Sequence, residues 1–401
     1  MKRSAAAVTA LLDELAHAQQ RRQRRSISGF ATRGSILEPI VEGRRVINFC
    51  SNDYLGIAGD PRLVAAMQSA AANWGAGAGA AHLVTGHTHE HHALEEELAA
   101  FTGREAALLF STGYMANVGV ITALAARGEV VLQDRLNHAS LLDGARQSGA
   151  RLQRYRHAAA EDAGQLLESA AGRITFIATD GVFSMDGDIA PLSQLAGLAT
   201  KHDAWLLVDD AHGLGVLGEK GGGSLALARL DATQVPLLVG TLGKAFGSFG
   251  AFVAGSRDVI DLILQRARSY IYTTALPPAV AAATRASLQI VIEEGWRRER
   301  LASLVARFHS GAAQLSLPLL PSPTAIQPIL LPGAARCMAA SSYLLARGFW
   351  VSAIRHPTVP AGTERLRVTL SAGHTEQQID ALLDALHACV AQTAAQTVAQ
   401  T

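Results

Sequence analysis

The sequence predicts an α/β fold with a mostly parallel central sheet, followed by a smaller α+β domain. From Glu105 onward, short apolar runs such as "AALLF", "EVVLQD" and "AWLLVDD" alternate with helix-like stretches, which is typical of a parallel sheet. After about residue 290, a charged helical segment, a Pro-rich turn and three short apolar runs replace this alternation. We therefore expect an N-terminal helix and arm (1–55), a large domain (56–289) and a small C-terminal domain (290–401).

The first residues predict an amphipathic helix. The run "MKRSAAAVTALLDELAHA" begins with basic residues as a signal peptide does, but Asp13 and Glu14 interrupt its apolar stretch. The basic stretch "QQRRQRR" follows and leads into an arm that ends in "VINFCSNDYLG". We expect neither a cleaved signal nor a transmembrane helix, since the chain has no run of about 18 apolar residues.

One segment of the large domain predicts a crossover helix between two parallel strands. In "APLSQLAGLATKHD", Pro191 stands near the first turn, where proline is favoured. The segment joins the apolar run "ITFIATD" to "AWLLVDD", as a right-handed crossover between parallel strands would. The predicted apolar stripe of this helix consists of Leu192, Leu195, Leu198 and Ala199.

The composition favours a small ligand. The chain has 401 residues, 49% of them hydrophobic, and a formal net charge of +1, so nothing in its charge favours nucleic acid or an anionic membrane as the main partner. Cys50, Cys337 and Cys389 are odd in number, far apart and free of CxxC spacing, which indicates neither a disulfide framework nor a zinc knuckle. We expect a cytoplasmic protein.

Polar residues collect where the predicted strands end. Ligands of open α/β sheets bind at the carboxyl ends of the strands, so these positions form the candidate site. They are Ser111 to Tyr114 after "ALLF", Asn137 and His138 after "VVLQD", Ser184 after "IATDG", Asp209 and His212 at the end of "LLVD", and Lys244 after "LLVGTLG".

Lys244 lies between glycines in "GTLGKAFGSFG", directly after a predicted strand. The stretch does not fit a Walker A phosphate loop, which would need a glycine at Leu238 and a hydroxyl residue at Ala245. A lysine desolvated at such a position becomes an amine nucleophile for carbonyl groups. Carbonyl capture is therefore the expected task of Lys244.

Asp209 ends a neighbouring strand and could pair with a protonated pyridine nitrogen. Taken alone, an aspartate there is as commonly a helix cap or a structural carboxylate. A lysine for the carbonyl and an aspartate for the ring nitrogen together indicate pyridoxal phosphate (PLP) chemistry. The glycine and helix start in "FSTGYMAN" would bind the phosphate, and the Thr241 hydroxyl could add a contact.

Six stretches together resemble the α-oxoamine synthases, from about residue 10 to 390 and in family order. They are "FCSNDYLG", "DGVFSMDGD", "LLVDDAHGLGVLG", "TLGKAFGSFGAFVAG", "YIYTTALPP" and "PTVPAGTERLRVTLSAGHT". The resemblance implies an aspartate-aminotransferase-like fold of type I with PLP as cofactor. It also implies a homodimer in which both subunits contribute to each active site.

The resemblance implies a role for each cofactor residue. Lys244 matches the lysine that binds PLP covalently, Asp209 the partner of the pyridine nitrogen, and His212 the residue near the ring hydroxyl. His138 matches the histidine that stacks on the ring and could polarise the substrate carbonyl. The remaining contacts are Gly113 and Tyr114 in the main-chain phosphate cup, Ser184 and Thr241 as polar contacts, and Thr273 and Thr274 reaching the phosphate in the neighbouring subunit.

The same resemblance implies the substrate contacts. Arg367 matches the arginine that binds the amino-acid carboxylate, Asn52 an asparagine near the reacting centre, and Thr358 a substrate contact. Arg21 is the best match for an N-terminal substrate arginine, with Arg22, Arg24 or a solvated basic helix face as the alternatives.

The implied reaction is the decarboxylative condensation of an amino acid with an acyl thioester. The segment "IRHPTVPAGTERLRVTLSAGH" favours L-alanine and a pimeloyl thioester, carried by acyl carrier protein or coenzyme A. Members that use glycine or serine, such as 5-aminolevulinate synthase, 2-amino-3-ketobutyrate CoA ligase and serine palmitoyltransferase, remain alternatives. The chain departs from many relatives at Ala80, Ala81 and Asp180, which affects no cofactor anchor.

Two readings from other classes are weaker. A metal-dependent hydrolase could use "HTHEHH", in which only His87 and His91 have i, i+4 spacing, but no HExxH motif is present. We expect no metal there and interpret the stretch as a polar helix start. A non-catalytic interaction protein would not need the lysine, aspartate and histidine anchors. The sequence assigns no role to Asp210.

Overall fold

The computed structural model describes residues 5–32, 35–170 and 174–398. These residues form two compact units, a smaller one within positions 1–51, 185–187 and 300–401, and a larger one within positions 52–184 and 188–299. The three-segment division expected from the sequence stays a prediction. Among the helices of the described ranges, none combines the length and the apolar character needed to span a membrane.

Strands and helices alternate along much of the chain. The strands are β1 (Ile27–Phe30), β2 (Pro39–Val41), β3 (Arg44–Arg45), β4 (Ile47–Asn48), β5 (Ala106–Phe110), β6 (Val130–Asp134), β7 (Arg151–Tyr155), β8 (Ile174–Asp180), β9 (Trp205–Asp209), β10 (Leu237–Thr241), β11 (Ala251–Gly255), β12 (Ile326–Leu330), β13 (Phe349–Trp350), β14 (Ser352–Ile354) and β15 (Arg365–Thr369). The α-helices are α1 (Ala5–His17), α2 (Pro61–Trp74), α3 (His89–Thr102), α4 (Gly113–Leu124), α5 (Ala139–Ser148), α6 (Ala160–Ser169), α7 (Leu192–Lys201), α8 (Gly223–Ala228), α9 (Arg257–Arg266), α10 (Arg268–Ile271), α11 (Pro278–Glu293), α12 (Trp296–Gln314), α13 (Ala334–Ala346) and α14 (Glu376–Val398).

The larger unit is built on a seven-stranded sheet in the order β5-β11-β10-β9-β8-β6-β7. The strands from β10 to β7 are parallel, which confirms the prediction of a mostly parallel sheet. In contrast, β11 runs antiparallel to both of its neighbours. The connection 242–250 between β10 and β11 is too short for a crossover helix, so the chain can only return antiparallel.

Helix α7 joins β8 to β9 as the sequence predicted. Pro191 occupies its N-cap position, and the two strands pair in parallel. Leu192, Leu195 and Ala199 of the predicted stripe are buried, while Leu198 is half-buried. The helix thus packs its apolar face inward, as the period of its apolar residues requires.

The core of the larger unit consists of apolar side chains from the sheet and from α4, α5 and α9. Central strands carry near-continuous apolar runs because helices cover the sheet. Examples are Val131, Phe176, Leu207, Val239 and Val253, all of them buried. Polar side chains begin where these runs end, so the packing places them at the sheet's edge.

The smaller unit has the α+β character predicted from the sequence. Its three-stranded antiparallel sheet has the order β12-β15-β14, and α13 packs against α14. Strand β13 pairs in parallel with β4 of the N-terminal arm. The predicted N-terminal helix is present as α1, and residues 1–4 of that prediction lie outside the described residues.

Candidate active site

The carboxyl ends of the strands in the larger unit meet at one edge of the sheet. Asp209 at the end of β9 pairs in register with Asp180 of β8 and with Val239 of β10. On the other side, Ala251 of β11 pairs with both Thr241 and Phe110, the last residues of β10 and β5. The strand-end residues singled out in the sequence therefore follow neighbouring strands on the same edge.

Asp209 is held by two hydrogen bonds. Its side chain is buried, with 6% of the residue exposed. The Asn117 amide donates to Oδ2 at 2.6 Å, and the backbone N–H of Ala211 donates to Oδ1 at 3.1 Å. Asn117 is a fully buried residue of α4 and also donates to the Ser140 hydroxyl at 2.9 Å. These bonds fix the carboxylate plane, and sequence reasoning missed Asn117 although it ends the quoted stretch "FSTGYMAN".

Lys244 and His212 are in direct contact. The lysine Nζ lies 2.9 Å from His212 Nε2, and His212 Nδ1 lies 2.7 Å from the hydroxyl of Tyr54. The same hydroxyl is 3.2 Å from Asn52 Oδ1. Tyr54 is buried and was not predicted, although it stands two residues after Asn52 in the quoted motif "FCSNDYLG".

This chain of four side chains accommodates two proton arrangements. With a charged lysine, Lys244 donates to His212 Nε2, His212 Nδ1–H donates to the Tyr54 oxygen, and Tyr54 donates to Asn52. With a neutral lysine, His212 Nε2–H donates to the amine and Tyr54 donates to Nδ1. A change of imidazole tautomer, together with a rotation of the Tyr54 O–H from Asn52 to His212 Nδ1, links the two, since neutral imidazole has one donor and one acceptor nitrogen. The network can therefore follow a proton arriving at or leaving Lys244.

His138 caps helix α5 and belongs to the same edge. Its Nδ1 lies 2.7 Å from the Ser140 hydroxyl, and its backbone N–H donates to Asp180 Oδ2 at 2.7 Å. The pKa of His138 is lowered, first by desolvation and then by the charge of Lys244, against the opposing effect of Asp209. The imidazole is thus biased toward its neutral form. Burial raises the pKa of Asp180 well above its usual range, and the nearby Asp209 adds to this.

The start of α4 presents backbone donors. Thr112 caps the helix by accepting a hydrogen bond from Met115 N–H at 3.2 Å. Within the part of the chain that the structure describes, the N–H groups of Gly113 and Tyr114 have no acceptor. A Cβ on Gly113 would meet no atom within 4 Å, so the space beside it is open. A helix start with two open N–H groups suits an anion such as a phosphate.

The remaining predicted cofactor residues are Thr241, Ser184, Thr273 and Thr274. Thr241 ends β10 and donates its hydroxyl to the Gly250 carbonyl at 3.2 Å. Ser184 follows β8 and is half-buried. Thr273 is half-buried and Thr274 exposed, both in the segment after α10. The roles of these residues stay predictions.

Asp210, to which the sequence assigned no role, is completely buried in a cage of glycines. A Cβ added to Gly181, Gly213 or Gly223 would lie 2.5, 2.2 or 2.0 Å from one of its carboxyl oxygens. Its Oδ2 accepts a hydrogen bond from Ser224 N–H at 2.7 Å. Burial raises the pKa of Asp210 to about 7. The carboxyl therefore fills the centre of the turn that carries His212, and only glycine fits around it.

Of the predicted substrate residues, Asn52 and His138 lie in the larger unit, and Arg21, Thr358 and Arg367 lie in the smaller unit. A cavity of about 700 Å³ there is lined by Arg21, Thr358 and apolar side chains including Trp350. Arg22 and Arg24 line the same cavity, so all three candidate arginines face one space. Arg355 donates to the backbone carbonyl of Arg21 at 3.2 Å and so fastens the basic stretch. Arg367 lies on β15 and is 7% exposed.

The fold and the strand-end constellation define the class of fold-type I enzymes, whose members use PLP. Residues 44–386 match the family model of aminotransferases class I and II. The chain belongs to this family and, within it, to the 8-amino-7-oxononanoate synthase family. It is therefore an enzyme, an acyltransferase of the PLP-dependent type.

Individual relatives support this assignment. The 8-amino-7-oxononanoate synthase of Thioalkalivibrio sulfidiphilus is 60% identical over 367 residues, covering 91% of this chain and 92% of that protein. Among solved structures, serine palmitoyltransferase from S. paucimobilis with a bound PLP-myriocin aldimine has a TM-score of 0.91 and 31% identity, covering 97% of this chain and 98% of that chain. The 8-amino-7-oxononanoate synthase from Francisella tularensis has a TM-score of 0.76 and 31% identity, covering 86% and 98%.

Proposed function

We propose that this enzyme condenses L-alanine with a pimeloyl thioester, using PLP, to give 8-amino-7-oxononanoate, carbon dioxide and the free thiol carrier, a step of biotin biosynthesis. The observation that carries the proposal is the contact between Lys244 and His212 on the sheet edge that holds Asp209, in a chain 60% identical to a protein of that name. The carrier is acyl carrier protein or coenzyme A.

The residues at the edge of the sheet fit PLP. Lys244 would hold it covalently, Asp209 would pair with its ring nitrogen, and the open N–H groups of Gly113 and Tyr114 would bind its phosphate. His138 would lie against its ring. When bound, PLP supplies the electron sink that stabilises a carbanion at Cα of the amino acid.

Lys244 is the group that would take the Cα proton of the amino acid. Its neutral amine accepts a hydrogen bond from His212 in one of the two proton arrangements described above, and its charged form donates in the other. The buried Tyr54 lets His212 change tautomer without leaving a ring nitrogen unsatisfied. The chain's own side chains thus compensate each change of protonation at Lys244.

The smaller unit supplies groups for the two substrates. Arg367 would bind the alanine carboxylate as a bidentate partner. A pimeloyl chain has a run of methylene groups and a terminal carboxylate. The lining of the cavity combines the apolar ring of Trp350 with the cationic side chains of Arg21, Arg22 and Arg24, which supports this acyl group as its occupant.

We infer a homodimer in which Thr273 and Thr274 contribute to the phosphate site of the partner subunit. Helix α1 supports association with a second copy because its apolar residues lie on one exposed stripe. Val8, Leu11, Leu12 and Leu15 are each between 39% and 57% exposed. Such a stripe on a helix is usually buried against a partner.

A second candidate is condensation of serine with a long-chain acyl thioester. It is favoured by the higher TM-score with serine palmitoyltransferase, 0.91 against 0.76 for the Francisella protein. The sequence identities argue against it, because the serine palmitoyltransferase is only 31% identical to this chain and the 8-amino-7-oxononanoate synthase of Thioalkalivibrio sulfidiphilus is 60% identical.

Substrate choice is tested by supplying L-alanine, glycine or L-serine with pimeloyl or palmitoyl thioesters and measuring released carbon dioxide and thiol. We expect L-alanine with the pimeloyl thioester to exceed every other pair at least about tenfold, the factor that about 1.4 kcal/mol of transition-state discrimination gives. Equal or higher turnover with serine and the palmitoyl thioester would contradict the proposal.

The role of Lys244 is tested by Lys244→Ala. We expect no turnover and no cofactor fixed by borohydride at this position. Lys201→Ala removes an exposed lysine paired with Glu168 and should behave like the unmodified enzyme. Borohydride fixation at the same site in Lys244→Ala would refute the assignment.

The role of Asp209 is tested by Asp209→Asn. Turnover should fall roughly 100-fold or more, because the buried ion pair with the ring nitrogen loses one partner.

A further inference from the structure

Four histidines cluster around the start of α3. They are His82, His87, His91 and His92; the His87 ring contacts the other three rings, and the His82 ring also contacts that of His91. The sequence predicted a polar helix start here and no metal. Neither the proposed reaction nor the proposed cofactor uses any of them, so the cluster needs its own explanation.

His91 serves the structure of the helix. It is fully buried, its Nδ1 accepts the N–H of Thr88 at 3.0 Å, and its Nε2 donates to the Leu276 carbonyl at 2.5 Å. Both ring nitrogens are therefore in use. The pair His87 and His91, which the spacing had singled out, is thus not a pair of metal ligands.

A different set of three residues brings its donor atoms together. Ring nitrogens of His87 and His92 and a carboxylate oxygen of Glu95 all lie within 4.8 Å of one another. His87 Nε2 is 4.0 Å from Glu95 Oε2. His92 and Glu95 are three residues apart on α3 and so share one face of the helix. Sequence reasoning missed Glu95 because it lies outside the histidine run.

The surroundings orient two of these groups. His82 Nδ1 lies 3.1 Å from His87 Nδ1, and the His82 ring is stacked on Tyr270 with 5.1 Å between centroids. This leaves His87 Nε2 facing Glu95. Metal-binding histidines are commonly held in this way through their second nitrogen. The Glu95 carboxylate accepts the Leu109 N–H through Oε1, so Oε2 remains toward His87.

Glu95 also lacks a strong counter-charge. Its side chain is 13% exposed, and among residues 5–32, 35–170 and 174–398 it forms no ion pair with lysine or arginine. Burying a carboxylate is costly unless a cation or several hydrogen bonds compensate it. A metal cation between Glu95 and the two imidazoles would supply that charge.

We propose that His87, His92 and Glu95 form a binding site for a divalent transition metal of the zinc type. Two imidazoles and one carboxylate are a known ligand set for zinc, with a fourth position left to water. Ligand atoms around tetrahedral zinc lie about 3.4 Å apart for bonds of about 2.1 Å. To approach that separation, His92 would have to turn away from Glu96, whose Oε1 lies 3.4 Å from its Nε2, and the 63% exposure of the His92 side chain leaves room for this.

Metal binding at this site would join the segment before Thr88 to the first turns of α3. Since the metal binds the folded arrangement, its binding free energy adds to the stability of the fold. The expected role is therefore a stabilising or regulatory one, separate from the chemistry at Lys244. The proposal does not depend on which substrates the enzyme uses.

The test uses the untagged, PLP-loaded enzyme and zinc chloride as the probe, in a buffer that does not chelate zinc. Isothermal titration calorimetry should give one zinc ion per chain with a Kd in the micromolar range or below. His92→Ala removes an exposed ligand without touching the core, and Glu95→Gln removes the charge with little change in shape. The matched control is His89→Ala, an exposed histidine of the same motif that lies outside the ligand set.

We expect His92→Ala and Glu95→Gln each to weaken zinc binding at least about tenfold, and His89→Ala to leave it unchanged. Zinc should also raise the melting temperature of the unmodified enzyme and of His89→Ala, but not of His92→Ala. Three results would overturn the proposal: no stoichiometric binding, unchanged affinity in His92→Ala, or an equal loss in His89→Ala. The third result would mean that the histidines bind zinc nonspecifically.

Discussion

Replacing Asp210 with asparagine should remove a large part of the pH dependence of the enzyme's stability. The carboxyl group is completely buried, and burial raises its pKa to about 7. Asparagine has nearly the same shape, can still accept the Ser224 N–H through its oxygen, and does not titrate. The substitution therefore changes the charge behaviour of the site and keeps its packing.

The size of this pH effect on stability follows from the upward shift in the pKa of Asp210. In the unfolded chain an aspartate has a pKa of about 3.9, so between pH 4 and 7 the folded state binds more protons at Asp210 than the unfolded state does. The contribution of Asp210 is therefore fully present below about pH 4 and is lost as the pH rises through 7. A shift of about three units corresponds to roughly 4 kcal/mol across this range.

The assay is guanidinium unfolding of the PLP-loaded enzyme at several pH values from 5 to 8. The difference in unfolding free energy between the unmodified enzyme and Asp210→Asn should change by roughly 2 to 3 kcal/mol over that interval, with the unmodified enzyme losing stability faster. Asp13→Asn, a change at an exposed position of α1, provides the control and should give parallel curves. Parallel curves for Asp210→Asn as well would show that Asp210 does not titrate as argued.

Two further substitutions test other contacts. Tyr54→Phe removes the hydroxyl that contacts His212. We expect kcat to fall about tenfold with PLP still bound, since a lost buried hydrogen bond costs about 1–3 kcal/mol, and an unchanged kcat would refute the proton network. Gly213→Ala places a Cβ 2.2 Å from Asp210 Oδ1 and should lower the unfolding free energy by about 1–3 kcal/mol. The control Gly197→Ala adds a methyl group in open space on α7 and should raise the unfolding free energy by up to about 1 kcal/mol. Effects of the same sign would contradict the glycine cage.

The fold was largely predictable because burial on both faces of the central sheet requires continuous apolar runs. Those runs located β5, β6, β8, β9 and β10 and indicated a mostly parallel sheet. They could not indicate the direction of β11, since a buried parallel strand and a buried antiparallel strand can have the same apolar run. The shortness of connection 242–250 is the sequence signal that would have predicted it.

The site was predictable only in part. The sequence singled out Lys244 and Asp209 because each stands at or just after the end of an apolar run, and His212 because it lies three residues after Asp209. Tyr54 and Asn117 were not singled out, because their contacts with His212 and Asp209 join positions 158 and 92 residues apart. No periodic pattern in a single sequence marks such pairs.

The connection between β10 and β11 also bears on how the protein reaches its native state. It joins two neighbouring antiparallel strands through residues 242–250, so closing it costs little loop entropy, and hairpins of this kind form in about 1–10 μs. Asp209, by contrast, reaches β10 only through the longer connection 210–236. Because Lys244 lies within connection 242–250, the pairing of β10 with β11 fixes both ends of the short segment that carries it.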